Sequence, residues 1–359
     1  MASHDELPSP VGQSQPPRRV LVVADAEFIG ARLRQIIAED PVLQLAGEVA
    51  DGVSAVSFLR RNPVDGVVLD ISHSEAQVKV TLTRMFRVDP DLKVVMVGSL
   101  SFANVKTSMM GLMEGAAEFV PTPSPHTGTT EAQFTARIRG VLAAFGPSTR
   151  QPGPPQPSIK GEVDAKPVPE IVAIGSSTGG PQALFTVLAM LAAGLRVPIV
   201  ITQHMPTKFT AILAQHIDRH SGLRCNEGQH GEKLEPGRAY VAPSDHRMTV
   251  VAAPGGPEIR LDQEPPRNYC RPSVDPMLES LAKVYGAGLL AVILTGMGKD
   301  GLEGGRAVVA AGGTVIAQDV ETSVVWGMPG AVATAGLCSA VLPLDEIAPY
   351  VAARLRADW

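Results

Sequence analysis

EIVAIGSSTGGPQ, Glu170 to Gln182, holds three kinds of local structure in one short stretch. Glu170 to Ile174 has the apolar clustering of a short buried strand, Gly175 to Gly180 is a tight loop of small residues, and Pro181 opens a long apolar segment of helical character. Strand, sharp turn and helix follow in that order. Gly175 to Gly179 is also a Gly-x-Ser-x-Gly arrangement. Glycines on both sides let the backbone take a strained corner that puts the Ser177 hydroxyl at the carboxyl end of a strand, where a nucleophile would stand.

Strand and helix patterns alternate on both sides of this stretch. Downstream, the pattern predicts a helix to Ala193 and a strand over Val197 to Thr202 that ends in Gln203-His204. A helix over Lys208 to Arg219 and a strand-rich run over Gly222 to Gln263 follow. Then come a helix over Val274 to Tyr285, a strand over Leu289 to Leu294, the loop TGMGKDG, and a helix near Ser323 to Ala335 between two further strands. Upstream, five strands alternate with five helices between Arg18 and Phe145. That alternation predicts a parallel sheet covered on both faces, so the expected fold is α/β with two doubly wound domains. The N-terminal one is flavodoxin-like and the C-terminal one Rossmann-like. The expected division is a disordered tail over 1–17, a first α/β domain over 18–145, a Pro-rich linker over 146–168 and a second α/β domain over 169–359.

Three loops of the second half carry a nucleophile, a base and a carboxylate, each just after a predicted strand: Ser177, His204 and Asp300. In an open parallel sheet the carboxyl ends of the strands share one edge, so these loops can converge on one crevice. A serine hydroxyl needs a histidine to take its proton, and the histidine needs a carboxylate to fix its tautomer. The chain order Ser, His, Asp differs from the Ser, Asp, His of α/β-hydrolases. Taken singly, Ser177 and Asp300 could be helix caps and His204 a packed strand-end histidine. A nucleotide site at the glycine loop is disfavoured by the missing P-loop lysine and Gly-x-Gly-x-x-Gly spacing. His216 and His220 stand one helical turn apart with no third ligand nearby, so no metal site is expected.

These residues sit in AIGSSTGGP, TQHMP followed by KFT, AYVAPSDHRM, RPSVDPMLESLA, LTGMGKDG and GGTVIAQDVETSVVWGMPGA, spread over 170–344. The chain here resembles the chemotaxis protein-glutamate methylesterase (CheB) family. The resemblance implies Ser177 as nucleophile, His204 as general base, Asp300 as its orienting carboxylate, and backbone donors to the oxyanion at Met297 and Thr178. It also implies hydrolysis of glutamate methyl esters on methyl-accepting chemoreceptors, glutamine deamidation in some members, and no cofactor for catalysis.

The first half resembles a response-regulator receiver domain in VLVVADAEF, VDGVVLD, VVMVGSL and GAAEFVPTP. The resemblance makes Asp70 the phospho-acceptor and Asp25 one of an acidic pair that holds magnesium. A histidine kinase or adaptor would be the partner. Ala24 replaces the other acid, Gly98 stands at the hydroxyl position and Thr122 at the lysine position. The cation loses a ligand and the phosphoryl group two partners, which leaves magnesium and phosphorylation doubtful and favours signalling by docking. The alternative function is a catalytically silent regulator that binds receptors through this degenerate receiver.

Composition narrows the remaining classes. Lys+Arg 31 against Asp+Glu 36, net −5, with no basic block, does not ask for nucleic acid. The polar N-terminus is no signal peptide, and no apolar run is long enough for membrane insertion. Cys225, Cys270 and Cys338 fit no disulfide or metal pattern, so a reducing cytoplasm is expected.

Overall fold

The computed structural model describes residues 16–72, 74–124, 129–146, 167–191, 195–268 and 270–355. Most of the expected tail and of the expected linker lies outside these residues.

In the first half, strands β1 (Arg18–Val23), β2 (Leu43–Val49), β3 (Gly66–Asp70), β4 (Val94–Gly98) and β5 (Glu118–Pro121) form a parallel sheet in the order β2-β1-β3-β4-β5. That order is the flavodoxin-like one. Helices α1 (Glu27–Ala38), α2 (Gly52–Leu59), α3 (Glu75–Val88), α4 (Phe102–Met113) and α5 (Glu131–Ala144) connect and follow the strands. Strands β3 and β4 are buried along their whole length, as a sheet covered on both faces requires. Helix α5 begins at a capping box: the Thr130 side chain accepts from the Gln133 amide and Gln133 returns to the Thr130 amide.

The second half holds seven parallel strands in the order β14-β13-β12-β6-β7-β9-β8. They are β6 (Ile171–Ser176), β7 (Ile199–Gln203), β8 (Arg224–Glu227), β9 (Arg238–Val241), β12 (Leu289–Ile293), β13 (Thr314–Gln318) and β14 (Ala340–Leu342). A separate antiparallel pair, β10 (Arg247–Val251) and β11 (Glu258–Asp262), fills much of the strand-rich insertion. The helices are α6 (Gly180–Leu191), α7 (Phe209–His220), α8 (Val274–Tyr285), α9 (Leu302–Ala310), α10 (Met328–Thr334) and α11 (Leu344–Leu355). Strand β6 is central, and the chain winds outward from it in both directions through β7 and β12. This is the switch point where open α/β sheets bind their ligands.

Two expectations are corrected. Strand β6 runs through Gly175 to Ser176, because both lie in register with Thr202 and Gln203 of β7. The glycine loop is therefore shorter than Gly175 to Gly180. Helix α10 begins at Met328 and not near Ser323. Before it, Asp319 accepts from the amide and hydroxyl of Thr322, and the Trp326 indole donates to the Gln318 carbonyl at 2.9 Å. Such local side-chain bonds compete with the helical ladder.

The domains share apolar cores. One cluster runs from Met109 and Leu112 of α4 into Leu184 and Leu188 of α6 and Phe209 of α7. Phe119 of β5 stacks on Phe209 with ring centroids 5.3 Å apart. No helix among the described residues is long and apolar enough to cross a membrane.

Candidate active site

Ser177, His204 and Asp300 follow three adjacent strands, β6, β7 and β12. Gln203 ties the first two together. Its amide nitrogen donates to the Ser177 carbonyl at 2.8 Å and the His204 carbonyl at 3.0 Å, and its oxygen accepts from the Ser176 hydroxyl at 2.6 Å. Beyond Ser177 the chain turns into α6 at Gly179, where φ is +78°. A Cβ there would stand 2.6 Å from Val324 Cγ2, so glycine answers both the left-handed backbone and the close approach.

Asp300 is held from several sides. Its Oδ1 accepts from the Asn268 amide at 3.1 Å, the Ser273 hydroxyl at 2.9 Å and the backbone of Asp275 and Gly301 at 3.1 Å. Its Oδ2 accepts from the Val274 amide at 2.7 Å and faces His204 Nε2 at 2.8 Å. Val274 and Asp275 open α8, so Asp300 caps that helix from another loop, while Ser273 at the N-cap position turns its own hydroxyl to Asp300. The positive end of α8 favours the carboxylate. Asp275 repeats the device on α9, accepting from Gly301 at 2.9 Å and Gly304 at 2.7 Å.

Burial opposes charge on Asp300, but the hydrogen bond and charge of His204 and the α8 amides outweigh it and bring the carboxyl down to about 2. Burial likewise opposes protonation of His204. The bonds to Asp300 and Cys270 outweigh it and push the imidazole up to about 9. Cys270 Sγ lies 3.6 Å from His204 Nδ1.

The loop carrying Met297 lies against the nucleophile: a Cβ on Gly296 would stand 2.8 Å from Ser177 Cβ. The Thr178 carbonyl accepts the Thr295 hydroxyl at 3.0 Å, which fixes the Thr178–Gly179 peptide. This arrangement can support nucleophilic attack with backbone amides close to the attacked atom.

The first domain covers these groups. The Gly179 amide donates to the Ala117 carbonyl at 2.8 Å, the Thr178 hydroxyl donates to Glu118, and Arg137 of α5 pairs with Glu118 and reaches Thr178 Oγ1 at 3.4 Å. Ser177 and Asp300 are each only 2% exposed.

At the other end of that domain Asp70 closes β3. Its Oδ1 accepts from the amide and hydroxyl of Ser72, while Oδ2 is buried without a hydrogen-bond partner. Asp25 is exposed, and the described residues contain no group of three or more acidic, histidine or cysteine side chains that could hold a metal ion. A Cβ at Gly98 would stand 2.8 Å from Ile71, and the Ser99 hydroxyl is taken by Asn104. The donor set for magnesium is one carboxylate short and no hydroxyl replaces the missing one, so the residues do not fit the ion. His216 and His220 stack their rings at 5.4 Å. Asp245 pairs with Arg271, and its neighbour His246 turns Nδ1 to the Ser244 carbonyl at 3.3 Å, outside the trio.

Sequence reasoning missed Gln203, Asn268, Ser273, Asp275 and Cys270 as parts of the site. Ser273 and Asp275 lie in the quoted motif RPSVDPMLESLA and Gln203 in TQHMP, so the motifs carried the signal without the roles. Asn268 and Cys270 precede the motif and carried none.

Comparison with known proteins points to one family. The family model for CheB methylesterase matches residues 172–351. The chain is 43% identical to "Protein-glutamate methylesterase/protein-glutamine glutaminase 1" of Paramagnetospirillum magneticum, over 96% of this chain and 97% of that one. It is also 43% identical to the protein-glutamate methylesterase/protein-glutamine glutaminase of Azospirillum brasilense, over 93% and 92%. The solved Thermotoga maritima CheB methylesterase catalytic domain superposes with a TM-score of 0.50 at 44% identity, over 51% of this chain and 97% of that one. The chain belongs to the CheB methylesterase family.

Proposed function

We propose that this protein is a protein-glutamate methylesterase, and a protein-glutamine glutaminase by the same chemistry, acting on chemoreceptors. The observation that carries the reading is the His204–Asp300 pair at 2.8 Å at the end of the strand next to Ser177. Ser177 attacks the ester carbonyl while His204 takes its proton. Methanol leaves with that proton, and water cleaves the glutamyl-serine ester with His204 again as base. A glutamine side chain follows the same path with ammonia as leaving group. The amides of Met297 and Thr178 serve the oxyanion. No cofactor enters these steps.

The first domain restrains the esterase. A receptor side chain cannot reach a serine that is 2% exposed beneath Glu118 and Arg137, so the cover has to move. With Ala24, Gly98 and Thr122 at the phosphorylation positions, a docking partner moves it and not phosphoryl transfer to Asp70.

The test is methanol release from methyl-esterified chemoreceptor by the full chain, by the fragment from Glu170 and by Ser177→Ala. Release from the fragment exceeding that of the full chain, and lost in the variant, is the expected result. Folded protein with no release from either form would leave the silent regulator as the reading. Acetyl phosphate with magnesium should leave the full chain's rate unchanged.

A further inference from the structure

Neither ring nitrogen of His204 is engaged with Ser177. Nε2 faces Asp300 Oδ2 at 2.8 Å, Nδ1 faces Cys270 Sγ at 3.6 Å, and the Ser177 hydroxyl is buried without any hydrogen-bond partner. The Asp300 carboxylate can only accept, and the donors from Asn268, Ser273, Val274, Asp275 and Gly301 fix it in place. Nε2 therefore carries its proton, and Nδ1 is the nitrogen left to act as base.

We propose that Cys270 is a positioning residue of the esterase: its thiol holds His204 Nδ1 while the site is covered and competes with Ser177 for that nitrogen. With a neutral ring the S–H donates to Nδ1; with the second proton on the ring its N–H donates to the sulfur, the stronger of the two contacts because the donor is charged, so Cys270 favours the protonated ring. Either way the imidazole keeps its plane through two fixed contacts while the serine waits. The base passes to Ser177 only when the thiol yields. Cys270 has room to do so, since it lines a cavity of about 290 Å³ with Ser273, Arg267 and Arg271.

The unpartnered Ser177 hydroxyl is the second, independent sign of this competition. A buried hydroxyl without a partner is costly, and Nδ1 is the acceptor that acyl transfer gives it. The titratable groups that act on the ring are Asp300 and Cys270. Asp275 and Arg267 feel the charge of Asp300, and Arg137 interacts with Cys270. Removing the thiol takes away one of the two contacts that favour the protonated ring.

The inference rests on the esterase reading above. The experiment follows the His204 ring by nitrogen NMR in the full chain with labelled histidine, using His204→Gln for assignment. Methanol release by the same samples is recorded against pH. In Cys270→Val, one methyl group larger and without a donor, the His204 midpoint should fall by about one pH unit. The acid limb of kcat/KM should move with it at unchanged KM, and Cys270→Ser should restore most of the shift. A Val variant that does not fold leaves Cys270→Ala to carry the same comparison. An unchanged midpoint and limb, with release still dependent on Ser177, overturns the role of Cys270 and spares the esterase. Absent release from wild-type protein overturns the esterase reading itself.

Discussion

The Thr178 hydroxyl donates to Oε2 of Glu118, binding the residue after Ser177 to a strand of the other domain. Glu118 is also paired with Arg137 and its side chain is only 11% exposed. Burial works against charge on Arg137, yet Glu118 more than offsets it and raises the guanidinium's affinity for its proton. The bond between Thr178 and Glu118 exists only while the domains stay together, whereas Glu118 and Arg137 pair within the first domain. A hydrogen bond to a charged group contributes roughly 1.5–3 kcal/mol. Glu118→Ala should therefore raise methanol release by the full chain about tenfold or more, with no comparable effect of opening left to find in the fragment from Glu170. An unchanged full-chain rate would show that the apolar contacts, such as Phe119 on Phe209, hold the cover alone.

Asp300→Asn should lower kcat by about 10⁴-fold with KM nearly unchanged, as expected when an orienting carboxylate becomes an amide. The Asp300 carboxylate is engaged by His204, by backbone amides at the start of α8 and by the side chains of Asn268 and Ser273. The amide would also turn an NH₂ toward donors of α8 or toward His204, leaving the ring in the wrong tautomer. Steady-state methanol release measures both constants; a rise in KM alone at full kcat would move Asp300 out of the base's support.

Much of this was legible in the sequence because β3, β4, β6 and β12 are buried throughout and therefore read as plain apolar runs. The trio was legible because parallel strands deliver their following loops to one edge. The supports were not. Asn268 and Ser273 are single polar residues in loops, and only the folded chain shows that both point at Asp300. Glu118 and Arg137 look like an ordinary ion pair until the partner domain supplies Thr178.

The two perturbed groups set a pH window for stability. His204 is raised from 6.5 to about 9, so its contribution is fully present below 6.5 and lost as pH rises through about 9. Asp300 is lowered from 3.8 to about 2, so its contribution is present above 3.8 and lost as pH falls through about 2. Both are present together in the weakly acidic range between. The urea midpoint of wild type minus that of His204→Gln should shrink as pH rises from 6.5 to 9. A difference that grew over this range would reverse the sign of the assignment.

Gln203 is 1% exposed and serves three polar groups at once, the Ser176 hydroxyl and the carbonyls of Ser177 and His204. Gln203→Leu keeps the volume and takes the acceptor from the Ser176 hydroxyl and this donor from the His204 carbonyl, at about 1–3 kcal/mol for each buried group left unpaired, while the Ser177 carbonyl keeps the Gly180 amide at 2.8 Å. Melting temperature should fall, and kcat should fall more than tenfold, because displacement of reacting groups by about 1 Å costs on the order of 10² in rate. Gly180→Ala strikes the same element from the other side: its Cβ would stand 2.1 Å from Gln203 Oε1. Because both changes act on one bond network, the double variant should lose less stability than the sum of the two singles. Strict additivity in thermal melts would mean that Gly180 and Gln203 act separately, and that the link between β6 and β7 lies in the backbone register alone.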